Sequence, residues 1–441
     1  MDTVRAKCDP LANVQIETME NRSFAFASAL FACGLTACIS DDPSVAPIPF
    51  TDAGTTPGVD ASDSSVKLDA APEAAPTCGV IGATCCAGNQ CGGDATCTGG
   101  SCACAQPKVA CGSSCIDFQT NPDHCGACNH GCVGGACTGG ICQPSTLVTG
   151  QLIVTSIVPQ GSKLYWTRSH TNTQKSGVFA SDLNGQNMAP IYDAGTTAYC
   201  NGLALSTTSA FFACAGQILR CTLPACAPNP TALGAASVSA LAFDSVNDRL
   251  YFTNYTQYNQ FGGGFVASIP SAGGAISRLA QNDQPNPSSI VIENGMGYWL
   301  NAGTYQSDNP QYNGGVNRAP LGTNQPVNVV TADTSGTDYS SLAIQGGVAY
   351  WTSGMQIRTS SAVAGPSSTY ASSVSKSYIR VVIADASYVY WSEDNGGVYR
   401  CEKNCTKPTL IAATTNTFAL AQDSVSIYWS TGVGDIRRLA K

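Results

Sequence analysis

The sequence predicts an all-β protein in which residues 143–441 form a seven-bladed β-propeller of four-stranded antiparallel blades. Three observations carry this reading. An aromatic pair recurs at Tyr165-Trp166, Phe211-Phe212, Tyr251-Phe252, Tyr298-Trp299, Tyr350-Trp351, Tyr390-Trp391 and Tyr428-Trp429, at spacings of 46, 40, 47, 52, 40 and 38 residues. A short apolar segment precedes most pairs, as in Leu241-Ala-Phe243 or Val381-Val-Ile383, and a strand such as Gly397-Val-Tyr-Arg400 follows. Helical spacing of apolar residues is almost absent, and four short strands per roughly 43 residues is the repeat of a propeller blade.

The N-terminal elements come first in chain order. Residues 24–37 are an apolar run of 14, too short to span a bilayer and the right length for the central region of a signal peptide. Because Met1–Thr18 is polar, Met19 is the expected start of translation, with Met19-Glu20-Asn21-Arg22 as a thin charged lead. The run ends in Leu35-Thr36-Ala37-Cys38, which resembles a bacterial lipobox. The resemblance implies that 1–38 is a leader and that Cys38 is the acylated mature N-terminus, with several acyl chains giving a durable membrane anchor. Ile39 is not the Asp that commonly retains such proteins in the inner membrane, so the resemblance points to the outer membrane. An ordinary secretory signal cut near Ala37 is the alternative.

Residues 39–77 hold seven acids and one Lys among Pro, Ala and Ser, and supply most of the chain's net charge of −8. They offer too little apolar surface to offset the entropy of ordering, and read as a disordered tether.

Fourteen of the 23 Cys fall within 78–142 and six within 200–405, both even counts, as full pairing in an oxidising compartment requires. The stretch 78–142 is too poor in apolar residues to hold itself together without disulfides. Its connectivity is not legible. Division into 78–104 and 111–142 leaves one Cys over in each half. The run Cys111-Gly-Ser-Ser-Cys115-Ile-Asp117, followed by Asn121-Pro-Asp-His-Cys125-Gly126-Ala-Cys128 and by Cys132, Cys137 and Cys142, resembles the stigma-specific-protein-like Cys-rich module. That resemblance covers about 32 residues and implies an extracellular interaction or spacer module without catalysis. A zinc site at Cys125 and Cys128 with His124 and His130 is the lesser reading in an exported chain.

Within the propeller the last unit stops after its third strand, and Thr146-Leu-Val-Thr149 repeats the pattern of the blade-closing Thr409-Leu-Ile-Ala412. It is the expected fourth strand of blade 7, closing the ring and hiding two sheet edges. The Tyr-Trp-Thr/Ser signature and the Gly-x-aliphatic-x-Arg strand resemble the YWTD class and its TolB-like and NHL-like bacterial relatives, over 145–441. The pattern departs from that class in blade number and in lacking its Asp throughout. The pairs read as core between blades, and the recurring Arg220, Arg318, Arg358, Arg400 and Arg437 as structural. Cys221 with Cys226, and Cys401 with Cys405, read as staples between third and fourth strands, and Cys200 with Cys214 as a bond across the first two strands of blade 2.

Function is less legible, because propellers host many unrelated functions. The chain's low charge and net −8 argue against a nucleic-acid partner. Three His, only His170 lying beyond residue 130, leave little for acid/base chemistry, and Asp385 and Asp423 read as turn formers. No cofactor, metal or catalytic residue is assigned. The long loops 254–264 and 301–315 follow the aromatic strand of adjacent blades and carry Tyr255, Tyr258, Phe261, Tyr305 and Tyr312 among Asn, Gln and Gly. Such residues on a rigid scaffold make recognition surfaces. The expected function is a membrane-tethered extracytoplasmic binding protein facing a glycan or protein. Alternatives are an exported hydrolase or lyase acting on glycans and a structural envelope component.

Overall fold

A computed structural model describes residues 78–169, 174–226, 229–254, 264–303, 314–333 and 340–441, so the leader, the tether and Cys38 lie outside the described residues. The described chain forms two compact units, one of Thr146–Arg437 and one of residues 78–145 with Arg438–Lys441.

The Cys-rich segment is built from three short hairpins: Ala95–Thr98 with Ser101–Cys104, Val109–Cys111 with Ser114–Ile116, and Cys137–Thr138 with Ile141–Cys142. Cys102, Cys115, Cys125, Cys132, Cys137 and Cys142 are buried where a larger domain would bury aliphatics. Three bonds, Cys78–Cys86, Cys85–Cys97 and Cys91–Cys102, lie within the first half. Three more, Cys111–Cys128, Cys125–Cys137 and Cys132–Cys142, lie within the second. The cysteine left over in each half is used by Cys104–Cys115, which joins them.

The propeller has seven four-stranded sheets. Blade 1 is Val154–Gln160, Lys163–Arg168, Ser176–Asp182 and Ala189–Gly195; blade 2 is Cys200–Leu205, Ser209–Cys214, Gln217–Thr222 and Thr231–Ala235. Blade 3 is Val238–Asp244, Arg249–Asn254, Phe265–Pro270 and Ser277–Arg278; blade 4 is Pro287–Glu293, Met296–Asn301, Gly314–Pro320 and Asn328–Asp333. Blade 5 is Leu342–Gln345, Val348–Ser353, Gln356–Ser361 and Ser368–Ser372; blade 6 is Ile379–Ala384, Tyr388–Glu393, Gly397–Glu402 and Thr409–Ala412. Blade 7 is Leu420–Gln422, Ser426–Ser430 and Ile436–Ala440, with Ser145–Val148 as its fourth strand. First strands of successive blades pack on one another around a complete circle, blade 7 returning to blade 1.

Alternation along a strand sends the two aromatics of each pair to opposite faces. The first member faces the next blade and the second faces the preceding one. Tyr165 thus shares a core cluster with Phe212, Phe211 with Phe252, and Tyr251 with Trp299. Tyr298 meets Trp351, Tyr350 meets Trp391, and Tyr428 closes the circle on Trp166. One contact type, repeated, therefore holds neighbouring blades together.

The third residue of the signature has its own task. In most blades the first strand begins with a one-residue bulge, as between Val154 and Ser156 or Val238 and Ala240. A bulge leaves backbone N–H groups off the ladder. At the bulge of blade 3 the hydroxyl of Thr253 accepts Ala240 N at 3.1 Å. In blades 5 and 7, just before the first strand, that of Thr352 accepts Ser340 N and Ser341 N at 3.1 Å each and that of Ser430 accepts Phe418 N and Ala419 N at 3.3 and 3.1 Å.

At the entry to blade 1, Ile153 has φ 53° and is 42% exposed. A β-branched residue in the left-handed region is strained by about 1–2 kcal/mol. Blade 4 shows the relaxed solution: Asn286 occupies the same position with φ 53°. Both carbonyls accept an N–H beyond their blade's Trp, Ser169 N at 3.0 Å and Ala302 N at 2.9 Å. Ile153→Asn is therefore expected to stabilise the propeller by about 1 kcal/mol, read as a higher urea midpoint; an unchanged or lower midpoint refutes the strain.

Candidate functional site

Second-to-third strand connections and blade-to-blade connections leave the same face of the ring, because strands in each blade alternate in direction. Tyr255, Tyr258, Phe261, Tyr305 and Tyr312 lie outside the described residues. The roots of their two loops are described, and one segment, Gln284-Pro-Asn286, grips both. Gln284 N donates to Gly264 O at 2.7 Å, on the blade 3 loop. Gln284 Oε1 accepts Trp299 Nε1 at 2.9 Å and Asn301 Nδ2 at 3.1 Å, on the blade 4 side. Asn286 Nδ2 donates to Gly303 O at 2.7 Å. The approach is close: a Cβ on Gly264 would stand 2.5 Å from Pro287 Cδ and 2.8 Å from Gln284 O, so only glycine fits. Asn254 Nδ2, at the other end of the blade 3 loop, is anchored to Ser237 O at 2.8 Å.

The role of Gln284 recurs with different chemistry. A buried indole N–H usually finds an acceptor. In blade 1 this is Gln151 Oε1, which takes Trp166 Nε1 at 3.1 Å and Arg168 Nη1 at 2.9 Å. In blade 6 it is Glu393, with Trp391 Nε1 at 3.0 Å. Sequence reading missed all three acceptors, although Gln151 and Gln284 share one offset from their Trp.

Glu393 is the most deeply held charge on this face, with no exposed surface. Besides Trp391 it accepts Ser373 Oγ at 2.9 Å, Val374 N at 2.9 Å, Ser375 N at 2.8 Å and Ser375 Oγ at 2.6 Å. Burial alone pushes its carboxyl up, but the bonds from Ser375, Trp391 and Val374 outweigh burial and hold it below the usual glutamate value. Beside it Arg380 forms a two-pronged ion pair with Asp394, Nη2 to Oδ2 at 2.6 Å. Glu393 is thus an occupied anion that fixes the 373–377 connection rather than an acid or base with capacity to spare.

Asp385 and Asp423 do form turns: Asp385 Oδ1 accepts Ser387 N and Tyr388 N at 2.9 and 2.8 Å, and Asp423 Oδ1 accepts Val425 N and Ser426 N at 2.8 and 2.7 Å. Of the recurring arginines, Arg220 donates to Ser271 O, Arg358 to Thr369 and Ser367, and Arg437 to Asp435. Cys200–Cys214, Cys221–Cys226 and Cys401–Cys405 are bonded as pairs. The sulfurs of Cys125, Cys132 and Cys142 gather within 4.8 Å, but each belongs to a disulfide and offers no thiolate to a metal. Cys128, the other sulfur of the zinc reading, is bonded to Cys111.

No protein-family model matches the chain, and no curated protein matches it. Solved structures do. Virginiamycin B lyase from Staphylococcus aureus is similar at a TM-score of 0.53 and 13% identity, over 68% of this chain and 98% of that one. The extracellular domain of the one-component system BT4673 from B. thetaiotaomicron is similar at 0.51 and 14%, over 67% of this chain and 39% of that one. PorZ, a bacterial surface component of the type-IX secretion system of Porphyromonas gingivalis, is similar at 0.51 and 13%, over 66% and 47%. At these identities the likeness is one of fold. The ten disulfides among the described residues, in turn, are those of an exported protein that folds in an oxidising compartment.

Proposed function

We propose that this protein is a membrane-tethered extracytoplasmic recognition protein. Its propeller presents loops 254–264 and 301–315 as one surface to a glycan or protein, and the module and tether hold that surface away from the membrane. The observation that supports this reading is the single segment Gln284–Asn286, which hydrogen-bonds to the roots of both loops, at Gly264 and at Asn301 and Gly303. Pre-positioned aromatic residues bind with less loss of conformational freedom. Tyr258→Ala with Tyr305→Ala is expected to weaken capture on glycan arrays and in envelope-protein pull-downs by about tenfold or more, the usual scale for aromatic anchors. Undiminished binding by the double variant defeats the surface.

The tether reading rests on Cys38 and the apolar run before it. Cys38→Ser is expected to shift the protein from the membrane fraction to the soluble fraction, since acyl chains supply the affinity. Mass spectrometry of the mature N-terminus checks the same point, and continued membrane association of the variant overturns it.

A further inference from the structure

On the opposite face of blade 6, away from the tyrosine loops, lies a cleft of about 320 Å³. It is lined by Tyr388, Arg400, Glu402, Asn404, Lys407 and Thr409. The lining comes from three adjacent strands and one loop: Tyr388 pairs with Glu402, and Arg400 with Thr409. The loop is rigid by construction. Cys401–Cys405 closes it, and Tyr370 OH, from blade 5, donates to Cys401 O at 3.1 Å and also to Glu402 O. Arg400 differs from Arg220, Arg358 and Arg437, each of which donates at least one guanidinium hydrogen bond. Its guanidinium lies 4.9 Å from the centre of the Tyr388 ring, and among the described residues it donates no hydrogen bond and forms no ion pair.

We propose that this cleft is a binding site for an acidic saccharide unit, a uronate. The guanidinium fork, held over an aromatic ring, and the Lys407 ammonium match a carboxylate. Glu402, Asn404 and Thr409 supply acceptors and donors for ring hydroxyls. The volume is at the small end of ligand sites, roughly 300–1,000 Å³, and its polar lining suits a hydroxyl-rich ligand over an apolar one. Inorganic phosphate would satisfy the cations but not the hydroxyl partners. The inference does not rest on the tyrosine loops.

Isothermal titration calorimetry of the full chain with oligogalacturonate, a neutral galacto-oligosaccharide of equal length and inorganic phosphate tests it. Oligogalacturonate is expected to bind about tenfold or more tightly than either of the others. Lys407→Ala, on an exposed loop where folding is not at stake, and Arg400→Gln are each expected to weaken it by about tenfold, the order of one charge-assisted hydrogen bond. Arg400→Lys keeps the charge without the fork and is expected to fall between. Tyr258→Ala with Tyr305→Ala leaves this binding intact, which separates the two sites. No uronate binding, equal affinity for the neutral sugar or for phosphate, or unchanged affinity in both Lys407→Ala and Arg400→Gln would overturn the assignment.

Discussion

A chain that begins at residue 150 is expected to be less stable than one that begins at 143 by about 3–5 kcal/mol, and to self-associate. The difference between the two is the fourth strand of blade 7, Ser145–Val148. Val148 is buried in the cluster that holds Trp166, Tyr428 and Ile436, so removing it costs about 1.5–3 kcal/mol of burial. Each ladder hydrogen bond lost adds about 0.5–1.5 kcal/mol. The third strand, Ile436–Ala440, becomes an unpaired edge, which is a template for pairing with another chain. Urea unfolding measures the first effect and size-exclusion chromatography the second. Equal midpoints and a monomeric short chain would show that the closing strand is dispensable.

Glu393→Ala is expected to destabilise the propeller by about 3–5 kcal/mol, the scale of removing one partner from a buried charged network. The substitution strips the acceptor from Ser373 Oγ, Val374 N, Ser375 N, Ser375 Oγ and Trp391 Nε1 together. The pH dependence has a definite sign. Because the folded carboxyl titrates below its unfolded value, the unfolded chain binds the proton first as pH falls. The stabilisation is therefore complete above the unfolded glutamate value, about 4.3, and is lost as pH descends through the lower folded value. Glu393→Gln is expected to remove this share of the acid sensitivity, leaving a flatter curve of stability against pH below about 5. A variant with the wild-type slope would show that Glu393 is not the group responsible.

Much of the architecture was legible because propeller repeats are local. Each aromatic pair marks a second strand, and strand alternation alone requires its two rings to face different blades, which is how Tyr251 and Phe252 divide between clusters. The closing strand was visible in Thr146-Leu-Val-Thr149 for the same reason, as a repeat unit displaced in sequence. The paired staples were legible too, since Cys221–Cys226 and Cys401–Cys405 close only short loops. The candidate recognition surface was legible as loop composition only. What joins the roots of its two loops is Gln284, which belongs to neither of them: its backbone N–H reaches Gly264 O and its side-chain oxygen takes Asn301 Nδ2.

Two matters needed the tertiary structure. The even count of cysteines says that all can pair, but many pairings satisfy an even count, and only proximity in space selects Cys104–Cys115 as the bond that joins the halves. Likewise a buried tryptophan announces that its N–H needs an acceptor without saying which. Gln151 and Gln284 arrive from the preceding connection, whereas Glu393 stands two residues beyond its own tryptophan. Hydrogen bonding demands a partner at about 3 Å but is indifferent to where in the chain that partner lies. The sequence by itself therefore determined the repeat, the blade count and the oxidising character of the compartment, because these follow from local periodicity and from cysteine number. Which side chains meet across blades and loops was decided by packing.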